Sequence, residues 1–122
     1  MVLAPAFCAL LAAPYGWLAR ADPQQALEAR IAAPAGFARE PLDAGSFGDW
    51  LRRLPLKPGH PPVHLHDGRP KADQSVHVAV VDIDVGHRDL QQCADAVMRL
   101  RAEYFFSQGS ASAIRFNFTN GS

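Results

Sequence analysis

Apolar and polar residues are arranged over residues 76–107 in two successive patterns, which predict a β-strand followed by a long helix. Most side chains of residues 76–83 are apolar and they alternate between both faces, which is typical of a strand covered on each side. After a turn that contains Gly86, apolar residues recur at intervals of three and four, as on one face of an amphipathic helix. The residues of this apolar stripe are Leu90, Cys93, Val97, Leu100 and Tyr104. Gly109 is well placed to end the helix.

A shorter helix is predicted over residues 47–54, immediately before Pro55. Ser46 is a suitable N-cap, and Asp49 follows it three residues later, as in a capping box. The apolar residues share one helix face because of their helical spacing: Phe47, Trp50, Leu51 and Leu54. Residues 22–33 form either a short helix, capped by Asp22 with Pro23 at its first position, or a solvated linker.

Two further segments have the character of β-structure. Around Asp67-Gly68 the chain is expected to reverse, so residues 57–69 predict a hairpin whose return strand is short and basic. Near the end of the sequence, residues 113–119 alternate between apolar and polar side chains, as in a half-buried strand. Asn120-Gly121 is a strong hairpin signal, yet only Ser122 follows it. We therefore expect a strand that is missing from this chain.

Together these elements predict an α+β domain. Its small sheet contains residues 76–84 and 113–119, and it is packed by the long helix 90–107 and the shorter helix 47–54. Because two strands and two helices bury little surface, we expect an incomplete domain of marginal stability.

The N-terminal residues differ from the rest of the chain. Residues 2–19 are uncharged and largely apolar, and Ala19-Arg20-Ala21 follows the small-x-small form of a signal-peptidase site. We interpret residues 1–21 as a signal peptide and residues 22–122 as one part of a single domain. The alternative is a buried apolar helix. The predicted location is the periplasm or cell envelope, with no transmembrane span after removal of the signal.

Charge and cysteine content narrow the function. The formal net charge is zero and the pI is about 7.0, so nothing favours binding to nucleic acid. Partners are otherwise open, with components of the cell envelope as the expected class. Once residues 1–21 are removed, Cys93 is the one cysteine left, and it is either buried or reactive.

Long runs of this sequence resemble a known family. The runs are LPLKPG, HLHDGRPK, DIDVGHRDLQQCADAVMRLRAEY and RFNFTNG. Over about residues 31–122 the chain resembles bacterial envelope proteins that contain the domain of unknown function 4846. The resemblance implies an exported protein about twice this long, of which this chain is the N-terminal part. It implies no established activity. The C-terminal part of such proteins typically contains a Gly-His-Ala strand that is similar to the histidine strand of papain-like cell-wall hydrolases.

Cys93 is the main candidate for catalysis. A cysteine in the first turn of a helix lies near unpaired N–H groups and the positive end of the helix dipole, which favour the nucleophilic thiolate. His87 lies six residues upstream and is a candidate base. His77 is a second histidine near this region, and the family resemblance implies a base beyond Ser122. The alternative is that Cys93 is a core residue, because free cysteine is often buried.

Carboxylates and histidines also suggest metal sites. Asp82 and Asp84 share one face at the end of the predicted strand, and His87 is close enough in sequence to join them around a divalent ion. The alternative is that these residues form the turn and cap the helix, with Asp89 and Gln92 as the cap. His64 and His66, with the neighbouring aspartate, form another possible ligand set. No cofactor is predicted.

The sequence therefore leads to two functional hypotheses and leaves open whether the protein is an enzyme. The first is an exported thiol hydrolase of papain-like type, acting on peptide or amide bonds in the cell wall or at the cell surface, with Cys93 as nucleophile. The alternative is a non-catalytic binding or structural module of the envelope, with Cys93 buried in its core.

Overall fold

A computed structural model describes residues 21–117 of the chain. In chain order its helical elements are a 3₁₀ turn at Pro23–Gln25, helix α1 at Leu27–Arg30, helix α2 at Phe47–Arg52, helix α3 at Cys93–Ser107 and a 3₁₀ turn at Ala111–Ala113. Long extended and irregular segments connect them. The predicted cap of the first turn is present, since the Asp22 carboxylate accepts a hydrogen bond from the Gln24 amide at 2.9 Å.

The centre of the fold is the extended segment 54–57, which pairs with other backbone on both of its edges. On one edge, the Leu27 amide donates to the Leu54 carbonyl at 2.9 Å and the Leu56 amide donates to the Gln25 carbonyl at 2.8 Å. On the other edge, this segment pairs with residues 80–82 through the antiparallel bridge between Leu56 and Val81. Each pairing is only one bridge long, so the three segments form a ladder without becoming strands.

The hydrophobic core lies around this segment. Trp50 and Leu54 form its centre, and Leu56 and Ala26 are also buried. Six partly buried residues pack against Trp50 and Leu54: Phe47, Leu51, Val81, Ile83, Leu100 and Tyr104. The core is therefore made by α2, the segment 54–57, the C-terminal half of α3 and the residues around Val81 that pair with that segment.

Helix α2 begins as predicted, with Ser46 as its N-cap, and ends at Arg52, two residues before the predicted end at Leu54. The Ser46 hydroxyl accepts a hydrogen bond from the Asp49 amide at 3.2 Å, and the Asp49 carboxylate accepts one from the Gly45 amide at 2.8 Å. The first bond satisfies an amide that a helix start would otherwise leave unpaired, and the second fixes the residue before the N-cap. Tyr104 of α3 then donates its hydroxyl to the Gly45 carbonyl at 2.9 Å, which ties α3 to the start of α2.

Helix α3 begins three residues later than predicted, at Cys93, and ends as predicted. Gly109 follows its C-cap with φ of 69°, a backbone conformation that favours glycine. The predicted apolar stripe is covered along only half its length. Leu100 packs on the core, but Val97 is 66% exposed. The N-terminal half of α3 thus extends beyond the core.

The prediction of an α+β fold with a small sheet is wrong. Between residues 21 and 117 the structure contains isolated bridges but no sheet. Residues 76–84 pair with other backbone only around Val81, and Val76 and Val78 are 62% and 75% exposed. Alternating apolar residues indicate that a segment suits a buried strand, but a strand also needs a neighbour that supplies donors and acceptors along its length. Residues 54–57 supply donors and acceptors for only one bridge, because Pro58, which has no backbone N–H, follows them.

The second predicted strand is also not formed where the structure describes it. Ala113 ends a 3₁₀ turn, Ile114 is extended, and residues 114–117 pair with no other segment among the described residues. Residues 118 and 119, the Asn120-Gly121 signal and most of the predicted signal peptide lie outside residues 21–117.

The hairpin around Asp67-Gly68 is confirmed. His64 and Pro70 form an antiparallel bridge, and the Leu65 amide donates to the Arg69 carbonyl at 2.7 Å. Gly68 has φ of 84°, which explains why glycine follows the aspartate in this turn.

No helix within residues 21–117 has the length and apolar character needed to cross a lipid bilayer.

Replacing a core leucine tests this account of the core. Leu54→Ala removes a side chain that is 2% exposed, and we expect the free energy of unfolding to fall by about 2–5 kcal/mol. The matched control is Leu90→Ala, because Leu90 is 57% exposed and its truncation should change that free energy by only about 0.5 kcal/mol. Urea denaturation followed by far-UV circular dichroism measures both. Equal losses in the two variants would contradict a core centred on Leu54.

Candidate functional site

Cys93 is the first residue of α3 and its side chain is exposed. The residue before it, Gln92, is the N-cap, and its amide donates to the Asp95 carboxylate at 3.2 Å. The predicted cap of Asp89 with Gln92 is thus replaced by Asp95, within the first turn. Cys93 thus lies in the first turn of a 15-residue helix, where the backbone amides have no partner within the helix. The core packing of Cys93 that the binding-module hypothesis included is not observed.

A histidine and a carboxylate meet beside this helix start. His66 Nδ1 lies 3.8 Å from Asp89 Oδ2, and the same oxygen accepts a hydrogen bond from Gln92 Nε2 at 3.4 Å. The hairpin carries His66, and the loop before α3 carries Asp89. This arrangement links the hairpin to the residue immediately before Cys93.

The predicted metal ligands are not gathered into one group. Asp84 accepts a hydrogen bond from the Gly86 amide at 2.8 Å, which is the turn-forming role that was the alternative to metal binding. Asp82 contributes its amide to the pairing with Pro55. His87 is exposed in the same loop. Among residues 21–117, no three side chains of histidine, cysteine, aspartate or glutamate are close enough together to hold a metal ion.

The His64–His66 set separates in a similar way. His64 lies in the bridge with Pro70, while His66 is directed to Asp89. Asp67 is engaged with Arg69, whose guanidinium Nε donates to its carboxylate at 2.7 Å. These residues therefore build the hairpin and its contact with α3.

His77 is paired with His60. Their rings are stacked with centroids 4.2 Å apart. His60 Nε2 lies 2.9 Å from the His77 carbonyl, and His77 Nε2 lies 3.0 Å from the Pro61 carbonyl. Because carbonyls only accept, both Nε2 atoms carry the proton, and the buried His77 Nδ1 has no hydrogen-bond partner among the described residues. These contacts attach His60 and Pro61, which precede the hairpin, to His77.

A cleft of about 420 Å³ separates the hairpin from the segment that leads into α3. Its apolar wall consists of Val63, Leu65, Val80, Val81, Ile83, Val85 and Leu90. Its polar groups include Lys57, His66, Arg88, Asp89 and Gln91. The volume and the mixture of apolar walls with a few polar groups are typical of ligand sites.

Comparison with known proteins identifies the family. The model of the family described as domain of unknown function 4846 matches residues 27–122. The chain belongs to this family. Neither the curated proteins nor the solved structures contain a match. The family resemblance read from the sequence is thus confirmed, and the family's description assigns no activity.

The sequence did not predict the contact of His66 with Asp89, the stacking of His60 on His77, or the cleft. His66 and Asp89 are 23 positions apart, and His60 and His77 are 17 positions apart. No spacing rule connects residues that meet only because the hairpin folds against the loop before α3. The one available signal was the density of histidine and aspartate in residues 60–67 and 82–89, which marked both segments without pairing them.

The charge of Asp67 should stabilise the hairpin in a pH-dependent way. Hydrogen bonds from the backbone amide and the guanidinium of Arg69 lower the pKa of Asp67 below its ordinary value of 3.8. A lowered pKa in the folded state means that the stabilisation is complete above pH 3.8 and is lost as the pH falls through the folded-state pKa.

Asp67→Asn should therefore loosen the hairpin at neutral pH and have no effect at a pH below the folded-state pKa. Hydrogen exchange of the Gly68 and Leu65 amides measures this opening. Asp84→Asn is the matched control, because Asp84 makes a similar turn in the loop before α3. An Asp67→Asn effect that persists unchanged in strong acid would contradict the proposed role of the charge.

Proposed function

We propose that this protein acts in the bacterial cell envelope as a thiol hydrolase of peptide or amide bonds, with Cys93 as its nucleophile. The observation that carries the proposal is the exposed position of Cys93 at the first residue of α3. A thiol placed there is accessible to substrate and lies next to helix amides that favour negative charge.

The envelope location rests on the sequence of residues 1–21. An uncharged apolar run followed by Ala19-Arg20-Ala21 has the form of a cleavable export signal. A substrate outside the cytoplasm, such as a cell-wall peptide, is consistent with this location.

His66 is the best candidate for the base within the described residues. The Asp89 carboxylate lies 3.8 Å from His66 Nδ1, so it faces that nitrogen and Nε2 is the one proposed to exchange protons. His87 has no such carboxylate partner among the described residues, and His77 is stacked on His60. The chain from His66 through Asp89 to Gln92 ends one residue before Cys93.

The proposed reaction has two steps. His66 Nε2 takes the Cys93 proton, the thiolate sulfur forms a bond with the amide carbonyl carbon, and the C–N bond breaks as the proton passes from His66 to the departing amine. Water then attacks the thioester with His66 accepting its proton. The C–S bond breaks, the carboxylic acid product leaves, and the proton returns to the Cys93 sulfur.

The second candidate function is a non-catalytic binding module, which is favoured by the 420 Å³ cleft with its mixed lining. In this version Cys93 is an exposed residue near the cleft and takes no part in chemistry. The two functions differ in the reactivity of the thiol.

Alkylation by iodoacetamide distinguishes them. In a chain with Cys8→Ser, Cys93 should react faster at neutral pH when folded than when unfolded in urea, because only the folded chain brings the proposed base His66 to the start of α3. Asp89→Asn and His66→Ala should each reduce the folded rate. The matched control carries Cys8 and has Cys93→Ser. Equal folded and unfolded rates for Cys93 would contradict the hydrolase and favour the binding module.

Export is tested separately. Expression of the full chain in a Gram-negative host should release a periplasmic protein that begins at Asp22, because cleavage follows Ala21. Ala21→Arg should block cleavage, and Ala29→Arg, at an exposed position outside the site, should leave it intact. N-terminal sequencing of the periplasmic fraction measures both. A protein that keeps Met1 and stays in the cytoplasm would contradict the envelope location.

A further inference from the structure

Two of the segments that line the cleft have a backbone edge that is paired on one side only. The first belongs to residues 80–82. Here the Lys57 amide donates to the Val80 carbonyl at 2.8 Å, and the Asp82 amide donates to the Pro55 carbonyl at 2.8 Å. In an antiparallel ladder, the residue between two such bonds directs its own N–H and C=O to the opposite side. The backbone of Val81 therefore faces away from residues 55–57.

The second edge belongs to the hairpin and has the same bonding pattern. The Leu65 amide donates to the Arg69 carbonyl at 2.7 Å, and the Lys71 amide donates to the Val63 carbonyl at 2.9 Å. His64 lies between these bonds, so its N–H and C=O point away from Pro70. Both His64 and Val81 line the cleft.

These edges have unused hydrogen-bonding groups. The Val81 carbonyl accepts from the Ile83 amide at 3.1 Å. The Val81 amide and both backbone groups of His64 make no hydrogen bond within residues 21–117. Backbone donors and acceptors are satisfied by water or by an added strand, and an extended peptide can supply partners for both edges.

The charged residues that line the cleft determine which peptides it favours. Asp89 is the one carboxylate among the lining residues, and it lies against His66. Lys57 and Arg88 also line the cleft and form no ion pair among the described residues. The chain as a whole has zero net charge, so this excess of positive charge is local. It favours a ligand that carries a carboxylate.

We propose that the cleft binds an extended peptide that carries a carboxylate. The peptide backbone forms hydrogen bonds with Val81 and His64, its apolar side chains contact Leu65 and Ile83, and its carboxylate lies near Lys57 and Arg88. This binding requires no reaction at Cys93, so it holds for a hydrolase and for a binding module alike. In a hydrolase the same peptide is the substrate, because the cleft extends to Gln91, two residues before Cys93.

The test is a titration of the isotopically labelled full chain, carrying Cys93→Ser, with a random pool of extended hexapeptides that have free C-terminal carboxylates. Amide chemical shifts in a ¹⁵N–¹H spectrum report where the pool binds. We expect shifts at Val81 and His64. A second pool with N-methylated backbone amides should lose these shifts, and a third with amidated C-termini and no acidic side chains should bind about threefold to tenfold more weakly.

Matched variants locate the carboxylate contact. The double variant Lys57→Gln/Arg88→Gln should weaken binding of the first pool about threefold to tenfold. The control is the double variant Lys71→Gln/Arg115→Gln, which removes the same two positive charges outside the cleft and should leave the affinity for the first pool unchanged. Because these side chains are exposed, the variants should fold. The absence of shifts at Val81 and His64, or shifts that N-methylation does not reduce, would overturn the proposal. The alkylation experiment on Cys93 is independent of this titration. If it contradicts the hydrolase hypothesis, the result on peptide binding still holds.

Discussion

The structure depends on the pairing of residues 54–57 with backbone on both of their edges. This short segment joins the N-terminal turn and α1 to residues 80–82, and it places Leu54 and Leu56 in the core. Helices α2 and α3 also contact each other directly, through the aromatic cluster of Phe47, Trp50 and Tyr104. Prolines at positions 55 and 58 keep the segment short, because a proline donates no backbone hydrogen bond. The segment that organises the fold is therefore too short for its pairing to extend into a sheet.

The core is small and covers only the C-terminal half of α3. Its C-terminal half is held by Leu100, by the hydroxyl of Tyr104 on the Gly45 carbonyl, and by Arg101, whose guanidinium lies 4.3 Å from the centre of the Phe105 ring and 5.0 Å from that of Phe47. Its N-terminal half projects beyond these contacts. Cys93 is exposed for this reason, although it lies on the same apolar stripe as Leu100. The position that makes a thiol available for chemistry thus follows from where the core ends.

The cleft arises from the same arrangement. The open edge of residues 80–82 is the side of the ladder that residues 54–57 do not cover, and the hairpin lies across from it. Two contacts hold the hairpin in place: the stacked rings of His60 and His77 at its base, and His66 against Asp89 near its turn. His66 and His77, which the sequence offered as candidates for metal binding and catalysis, therefore act with their partners Asp89 and His60 to position the walls of one groove.

Local features were predictable from the sequence by itself. These are the cap of α2 at Ser46, the glycine that ends α3 and the turn at Asp67-Gly68. Each depends on residues a few positions apart, where hydrogen bonding and backbone preference decide the outcome. Only the tertiary structure decided that residues 76–84 form no strand, that Cys93 is exposed and that His66 meets Asp89. Strand formation and burial depend on which distant segment supplies a partner, and the apolar pattern of one segment carries no information about that partner.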